Sequence, residues 1–292
     1  MKHIILFVSA SLLSTPYLHV HFLATTACSA PQNTGTIRGY DFAGGQPKVV
    51  ALPGALGEIS GLSLTSGGRL FCHNDEAGTI YEIDYKTGKE IKHFSLGMFT
   101  LTGDFEGIAA AKQDTLFLVN SSGVLHRFRE GPAGKSVKYD VFKTSLTVKN
   151  DVEGLAYDPK TDCLLLACKG DGGKGLGKDK AIYAFSLKTY KLDPKPRFVL
   201  SVKDILAQTG KKEFNPSAIE RHPITGNFFV LAYNGLAIAE INPEGKILGV
   251  SELKKSLHPQ PEGLAIANDG TLIISNEGQG KTATLVIYSP RK

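Results

Sequence analysis

A short motif recurs five times along the 292-residue chain, and this repetition constrains the fold more than any other feature. Each copy has an acidic or amide residue first, Glu or Ser third, Gly or Ala fourth and Leu or Ile fifth. The five copies are Glu58–Leu62, Asp104–Ile108, Asp151–Leu155, Asn215–Ile219 and Gln260–Leu264. Such an internal repeat indicates an architecture in which one supersecondary unit is used several times.

The spacing of the motifs suits propeller blades. Their third residues fall at positions 60, 106, 153, 217 and 262, at intervals of 46, 47, 64 and 45 residues. A four-stranded blade takes roughly 40 to 50 residues. Segments such as Thr79–Asp84 and Ala181–Ser186 alternate with the period of two that is typical of antiparallel strands. The sequence predicts an all-β fold, a single β-propeller of four-stranded antiparallel blades, with five blades favoured and six as the alternative.

Two parts of the repeat array are irregular. The 64-residue interval contains a Gly/Lys loop at 170–180 and a predicted short helix within Ser201–Gly210, and a sixth blade would fall in this interval. Only 30 residues follow Glu262, which is enough for about three strands. We therefore expect the segment Thr36–Leu52 to add the outer strand of the last blade, so that the propeller domain spans 36–290 and has no open edge.

The first 27 residues differ in composition from the rest. Lys2 precedes the apolar run Ile4–Leu13, and a second apolar stretch, Tyr17–Ala24, leads through small residues to Cys28. This pattern predicts a lipoprotein-like signal peptide at 1–27 and lipid attachment at Cys28, with plain secretion and a retained anchor as alternatives. The predicted location is the cell envelope, with membrane association through a lipid anchor rather than a spanning helix.

The charge balance argues against one class of partner. The 33 Lys and Arg residues exceed the 28 acidic residues by five, and this small excess is spread evenly along the chain. Nucleic-acid-binding proteins usually carry a concentrated basic patch. We expect a monomer that binds no nucleic acid and whose partner is a small ligand or an envelope protein.

Several of these segments together resemble the SdiA-regulated (YjiK-like) family of bacterial exported β-propellers. The resemblance rests on five segments: Glu58–Leu62, His73–Asp84, Asp104–Ile108, Pro261–Leu264 and Ser275–Gly278. It covers nearly all of the chain after the signal, and it implies an envelope propeller that binds metal. The fourth motif departs from the pattern, because Ser217 and Ala218 stand where three other copies have Glu and Gly.

The motifs also predict a candidate metal site without reference to the family. The innermost strand of each blade lines the channel, so Glu106, Glu153 and Glu262 should converge near the axis, with Asp104 and Asp151 in a second tier. Clustered carboxylates repel one another unless a cation lies among them, and an all-oxygen ligand set suits Ca²⁺ or another hard divalent cation. Alternatively, each Glu accepts backbone N–H bonds from the next blade and joins the two blades.

A second group of polar residues follows the second strand of the blades. The candidates for a rim around the channel mouth are His73, Asn74, Asp75, Asn120, Asn276 and Glu277. Here His73, Asp75 and Glu277 would provide general acid and base groups if the protein is catalytic. The alternative is that these side chains bind the backbone of their own turns.

Two function classes follow from these patterns. One is an envelope-associated binding module that is stabilised by a divalent cation. The other is a metal-dependent hydrolase of the lactonase or phosphoesterase type, in which the cation activates a water molecule. The binding module is the favoured hypothesis because no base stands out against the repeat background.

Overall fold

The computed structural model describes residues 35–291, which form a ring of five small antiparallel sheets. This arrangement is a five-bladed β-propeller and confirms the predicted fold class and the favoured blade count. None of the helices in the described part of the chain is long and apolar enough to cross a membrane. The predicted signal peptide at 1–27 and the lipid site at Cys28 lie outside the described residues.

Each blade begins with its motif on the innermost strand. The strands of the first two blades are, in chain order after the edge strand β1 (Lys48–Ala51), β2 (Ile59–Leu64), β3 (Leu70–Asn74), β4 (Thr79–Asp84) and β5 (Lys89–Leu96), then β6 (Phe105–Ala110), β7 (Thr115–Asn120), β8 (Leu125–Arg129), β9 (Ser136–Val137) and β10 (Tyr139–Phe142). Strand β9 pairs in parallel with β5, so the second blade's chain also extends the first blade's sheet.

The remaining three blades follow the same plan. Their strands are β11 (Val152–Asp158), β12 (Cys163–Cys168), β13 (Lys180–Ser186), β14 (Lys191–Leu192) and β15 (Phe198–Leu200), then β16 (Asn215–Arg221), β17 (Phe228–Asn234), β18 (Ala237–Ile241) and β19 (Ile247–Glu252), and finally β20 (Pro261–Ile266), β21 (Leu272–Asn276) and β22 (Thr284–Tyr288). Short 3-10 helices occupy Ile37–Gly39, Gly54–Leu56 and Lys112–Asp114.

Both ends of the described chain contribute to the last blade. Strand β1 pairs antiparallel with β22, and Lys48 lies opposite Ile287 while Ala51 lies opposite Thr284. The prediction that Thr36–Leu52 supplies the outer strand is therefore confirmed. Closure by two distant segments removes the exposed sheet edges that an open array of blades would leave.

The long third interval, between Glu153 and Ser217, contains insertions rather than a sixth blade. Its helix, α1 (Val202–Thr209), begins at Ser201, whose Oγ accepts from the backbone N–H of Asp204. The helix ends at Gly210, which has a left-handed φ of 65°. Both ends agree with the predicted signals, because an N-cap hydroxyl satisfies a free N–H and glycine adopts positive φ without steric cost.

The hydrophobic core is divided into five layers, one between each pair of neighbouring blades. Phe71, Phe94 and Phe105 pack between the first two blades, for example, while Ile274, Phe229 and Tyr40 pack between the last two. Both faces of most inner strands are covered, so most of their residues are buried. Each blade is thus stabilised mainly by its neighbours, and the ring closes the series.

A buried carboxylate attaches the segment that precedes β1. Glu240, on β18, is fully buried and accepts hydrogen bonds from the backbone N–H of Ile37 at 2.7 Å and from the Thr36 hydroxyl at 3.1 Å. The hydroxyl of Tyr40 in turn donates to the Gly270 carbonyl at 2.7 Å. The N-terminal part of the described chain therefore packs against the fourth and fifth blades through specific polar contacts.

Candidate functional site

All five motifs form a β-bulge at the start of the inner strand. In β6, Phe105 and Gly107 face consecutive residues of β7, so Glu106 is the extra, unpaired residue. The same irregularity skips Glu153 in β11 and Ser217 in β16, and it falls at Ser60 and Glu262 in the other two blades. A bulge changes the direction of the side chain it carries. This local geometry turns the third motif residue towards the channel axis.

The central side chains enclose a very small cavity. Among the residues that line it are Glu106, Glu153, Ser217 and Glu262, and its volume is only about 10 Å³. That volume holds about one water molecule or a single ion. An organic ligand therefore does not fit inside the cavity, which opens towards the entrance face, the face where the motifs begin and the second strands end.

The motif glycines allow neighbouring inner strands to approach closely. A Cβ atom on Gly107 would lie 2.9 Å from the backbone nitrogen of Leu155, and one on Gly263 would lie 2.5 Å from the Ser60 carbonyl oxygen. These distances are too short for a carbon atom. Glycine at the fourth motif position is thus a packing requirement between blades in four of the five copies, while the fourth copy has Ala218 there.

The two motif serines connect blades through backbone hydrogen bonds. Ser60 donates from Oγ to the Glu106 carbonyl at 3.0 Å, and Ser217 donates to the Pro261 carbonyl at 2.8 Å. Hydrogen bonding between neighbouring blades is therefore the role of the third motif residue in the two copies that have serine there. No described backbone N–H donates to the carboxylates of Glu106, Glu153 or Glu262 in the same way.

Lys169 places a positive charge among the central carboxylates. Its Nζ donates to Oε1 of Glu153 at 2.6 Å and lies 3.9 Å from a carboxylate oxygen of Asp151. Although burial opposes it, the Glu153 carboxylate raises the pKa of Lys169, so the ammonium is charged at neutral pH. Lys169 directly follows strand β12, and spacing along the chain did not reveal its pairing with Glu153.

Burial and mutual repulsion weaken the acidity of the central carboxyl groups. Burial is the main cause that raises the pKa of Glu106, followed by the charges of Glu153 and Asp104. Burial also raises the pKa of Glu262, and that of Glu153 in spite of Lys169. Burial and repulsion therefore disfavour the charged form of these carboxyl groups, and either protonation or a nearby cation would relieve this cost.

A second acidic group lies on the entrance face. Glu58, Asp75 and Glu277 each offer a carboxylate oxygen, and these three oxygens lie within 4.8 Å of one another. We call them the entrance triad. Within residues 35–291, these three acidic side chains have the spacing of metal ligands. Glu106, Glu153 and Glu262 surround the cavity, but their carboxylate oxygens do not have this spacing.

The entrance triad lacks a compensating charge. No described Lys, Arg or His forms an ion pair with any of its three members. Burial and the charges of Glu58 and Asp75 raise the pKa of Glu277 to about 7. Burial and Glu58 also raise the pKa of Asp75, whose Oδ1 is buried and has no hydrogen-bond partner among residues 35–291. Asp75 and Glu277 belong to the predicted rim. Glu58 lies beside Asp75 because β2 pairs with β3, and ring closure brings Glu277 of the fifth blade to both.

Two predicted rim residues are buried instead. His73 is fully buried; its Nε2 accepts from the Gly61 N–H at 3.2 Å and its Nδ1 donates to the Asn74 carbonyl at 2.9 Å. Burial lowers the pKa of His73 to about 4, so its imidazole is neutral at pH 7. His73 therefore does not lie on the rim, and the acid–base role suggested for it there does not agree with the structure. Asn276 is likewise fully buried and contacts His258 and Thr284.

Two further rim candidates bind backbone. Asn120 accepts through Oδ1 from the Val124 N–H at 2.9 Å, which closes its own turn. Asn74 donates through Nδ2 to the Ala55 carbonyl at 2.7 Å. The turn-binding alternative therefore describes Asn120, while the rim in the structure is acidic and is formed by the entrance triad.

The family assignment follows from a sequence profile. The profile described as SdiA-regulated matches residues 46–279, which include every strand except β22. The chain belongs to the SdiA-regulated family. This match confirms the resemblance that the motifs indicated. A search of curated proteins finds no match to the sequence.

Solved structures with low sequence identity have the same fold. Glutaminyl cyclase of Myxococcus xanthus is 15% identical, with a TM-score of 0.52 over 84% of this chain and 97% of that one. Aldose sugar dehydrogenase of Streptomyces coelicolor, in its PQQ-bound form, is 13% identical, with a TM-score of 0.51 over 84% and 98%. A luciferin-regenerating enzyme is 11% identical, with a TM-score of 0.51 over 84% and 95%. At this identity the likeness concerns fold alone.

Proposed function

We propose that this chain is an exported, envelope-associated binding propeller that holds a divalent cation at its channel entrance and binds a ligand or partner protein there. The observation that carries the proposal is the entrance triad. Three carboxylates at this separation repel one another, and a bound cation would relieve the repulsion. Carboxylate oxygens without His or Cys suit Ca²⁺ or a similar hard cation.

The charge environment favours the entrance triad over the central carboxylates as the cation site. Lys169 already offsets the charge of Glu153, while Glu58, Asp75 and Glu277 have no such partner among the described residues. Burial also favours protonation of Glu106 and Glu262 near neutral pH. The originally predicted set of Glu106, Glu153 and Glu262 with Asp104 and Asp151 is therefore the second candidate for the ligands.

A cation at the entrance would also provide a way to bind a ligand. Ca²⁺ takes six to eight oxygen ligands, so three carboxylates leave coordination positions for water or for a ligand oxygen. The cavity beneath is too small for more than about one water. A ligand would thus lie over the channel mouth, which is where a binding module tethered to the envelope would present it.

Glu277 gives the hydrolase alternative a specific basis. Its carboxylate lies within 4.8 Å of those of Glu58 and Asp75 and forms no ion pair with a described basic residue, and a carboxylate beside a cation can serve as a general base. Beside a cation, it could accept the proton of a metal-bound water that attacks a lactone or a phosphoester. Hydrolysis of a lactone or of p-nitrophenyl phosphate that requires the added cation and is lost in Glu277→Gln would favour this alternative.

Thermal unfolding of the chelated protein with and without Ca²⁺ tests the proposal. At a Ca²⁺ concentration about 100 times Kd, binding to the folded state adds about 2.7 kcal/mol. For a protein of this size the melting temperature should rise by about 5–10 °C. The Glu277→Gln variant should lose most of this rise, and the exposed control Glu244→Gln should keep it.

The variants distinguish the two ligand sets. If Glu262→Gln loses the rise in melting temperature with Ca²⁺ and Glu277→Gln keeps it, the cation binds at the central carboxylates instead of the entrance triad. Equal melting temperatures of the unsubstituted chain in Ca²⁺ and in chelator would refute the cation altogether.

Export and lipid attachment are tested separately. The support for both is the apolar leader and the single Cys28 after small residues. Mass spectrometry of the mature N-terminus should find a diacylglyceryl-modified Cys28. A mature chain that begins elsewhere and carries no lipid would exclude the anchor but not export.

A further inference from the structure

A groove of ligand size lies away from the channel entrance. It has a volume of about 600 Å³ and runs between the second and third blades, at the ends where β6 turns into β7 and β13 turns into β14. These turns lie opposite the entrance face, because the inner strand runs from the entrance to the far side of the ring. Ligand pockets in proteins commonly have about 300–1,000 Å³. We call this feature the inter-blade groove.

The groove has an apolar floor. Phe117 and Phe128 lie almost completely buried beneath it and offer a ligand little surface, whereas Leu187 from the third blade is half-buried and forms part of the opposite wall. Tyr139 and Tyr190 add aromatic surface at the sides. An apolar or aromatic group of a small molecule could cover this floor and exclude water from it.

The rim of the groove has an excess of positive charge. Four basic side chains line it, while two acids, Asp140 and Asp162, are each paired, with Arg127 at 2.7 Å and with Lys112 at 3.1 Å. The other two basic residues, Arg129 and Lys138, form no ion pair within the described chain, and Arg129 donates only to the Gln113 carbonyl at 3.0 Å. Two cationic groups are thus available to an anion.

The wall of the groove is held in one conformation. The Arg127 guanidinium donates to the Tyr190 hydroxyl at 2.7 Å and lies over the stacked rings of Phe142 and Tyr190, whose centroids are 4.8 Å apart. Tyr190 has a left-handed φ of 53°, as do the groove residues Gln113 and Asp162 at 55° and 56°. Such backbone is costly for a bulky residue and recurs at ligand sites. Preformed walls reduce the entropy lost on binding.

We propose that the inter-blade groove is a second binding site, separate from the channel entrance, for a small organic anion with an apolar or aromatic body. The apolar part would lie on Leu187, Tyr139 and Tyr190, which are the accessible apolar and aromatic side chains of the lining. The anionic group would face Arg129 and Lys138, because a guanidinium can form two parallel hydrogen bonds with a phosphate or carboxylate. The proposal does not depend on a cation or a ligand at the entrance.

Isothermal titration with phenyl phosphate, phenol and inorganic phosphate tests this assignment on the full chain. Phenyl phosphate should bind more tightly than either of the others, because it alone satisfies both the floor and the rim. The double variant Arg129→Gln/Lys138→Gln should weaken its binding by about tenfold or more. The control Arg38→Gln/Lys203→Gln changes the net charge equally at exposed positions elsewhere and should leave the affinity unchanged.

Three results would overturn the proposal. One is the absence of binding heat at phenyl phosphate concentrations up to about 10 mM. Another is equal weakening by the groove variant and the charge-matched control, which would indicate a nonspecific charge effect. The third is equal affinity for inorganic phosphate and phenyl phosphate, which would remove the role of the apolar floor. Circular dichroism of both variants confirms that they fold.

Discussion

The ammonium group of Lys169 lies 2.6 Å from the carboxylate of Glu153, inside the ring of inner strands. Glu153 is the unpaired residue of a β-bulge, whereas Lys169 directly follows β12 of the same blade. The third blade thus contributes both a central acid and its counter-ion. This pairing separates the central carboxylates, which are partly neutralised from within the chain, from the entrance triad, which is not.

Replacement of Lys169 by Met should destabilise the chelated protein, because it leaves Glu153 buried without a counter-ion. We expect a loss of about 2 kcal/mol, which is less than a fully buried pair would lose, because a third of the Lys169 side chain is exposed. The melting temperature should fall by about 5 °C. Calorimetry against Lys174→Met, an exposed lysine in the next loop, provides the measurement and its control. Equal melting of the two variants would contradict a stabilising pair.

The Gly107→Ala substitution should destabilise the propeller through steric overlap alone. The new Cβ atom would lie 2.8 Å from the Leu155 Cβ and 2.9 Å from its backbone nitrogen, so an inner strand must move. Overpacking of this kind typically costs about 1–3 kcal/mol. Urea unfolding should detect the loss, and Gly39→Ala, which meets no atom within 4 Å, should show no such loss. A Gly107→Ala variant as stable as the Gly39 control would show that the blades can separate slightly without cost.

The pair formed by Glu130 and Arg69 should contribute to acid stability. Two hydrogen bonds from Arg69, at 2.6 and 2.7 Å, are the main cause that lowers the pKa of Glu130 to about 2. A carboxyl group whose pKa falls on folding stabilises the protein above its unfolded pKa of 4.5, and the contribution is lost as the pH falls towards 2.

The Glu130→Gln variant should therefore be less stable than the unsubstituted chain at neutral pH, and the difference should shrink between pH 4.5 and about 2. Urea midpoints across this range provide the measurement. Glu244→Gln, an exposed position, should show a pH-independent difference near zero. A constant deficit of Glu130→Gln over the whole range would mean that its charge does not stabilise the fold.

The Glu240→Ala substitution should release the segment before β1. It removes the acceptor of the buried Ile37 N–H and of the Thr36 hydroxyl, and an unsatisfied buried donor costs about 1–3 kcal/mol. We expect a lower melting temperature and faster proteolytic cleavage near residues 36–42. Glu240→Gln keeps an acceptor oxygen, so its melting temperature and cleavage rate should lie between those of Glu240→Ala and of the unsubstituted chain. Unchanged cleavage in Glu240→Ala would show that apolar packing of Tyr40 and Phe42 is sufficient.

The sequence by itself determined the blades and their closure. A blade is a local unit whose strands pair with their neighbours in the chain, so strand alternation and motif spacing predicted five blades. The shortfall of residues after Glu262 predicted that an N-terminal strand completes the last blade. The ends of α1 followed from Ser201 and Gly210 because helix caps depend on residues within one turn. The motif positions also predicted that Glu106, Glu153 and Glu262 surround the channel.

Only the tertiary structure decided which polar side chains meet. Glu58 and Asp75 belong to the first blade and Glu277 to the fifth, so no spacing along the chain brings them within 4.8 Å until the ring closes. His73 is buried because Gly61, which has no side chain, leaves room for its ring; a Cβ there would lie 2.7 Å from Nε2. Strand pairing could be predicted because each blade repeats the same local pattern. Which side chains meet depends on the bulges, on the close contacts at glycine and on ring closure, and ring closure joins residues that are far apart in the chain.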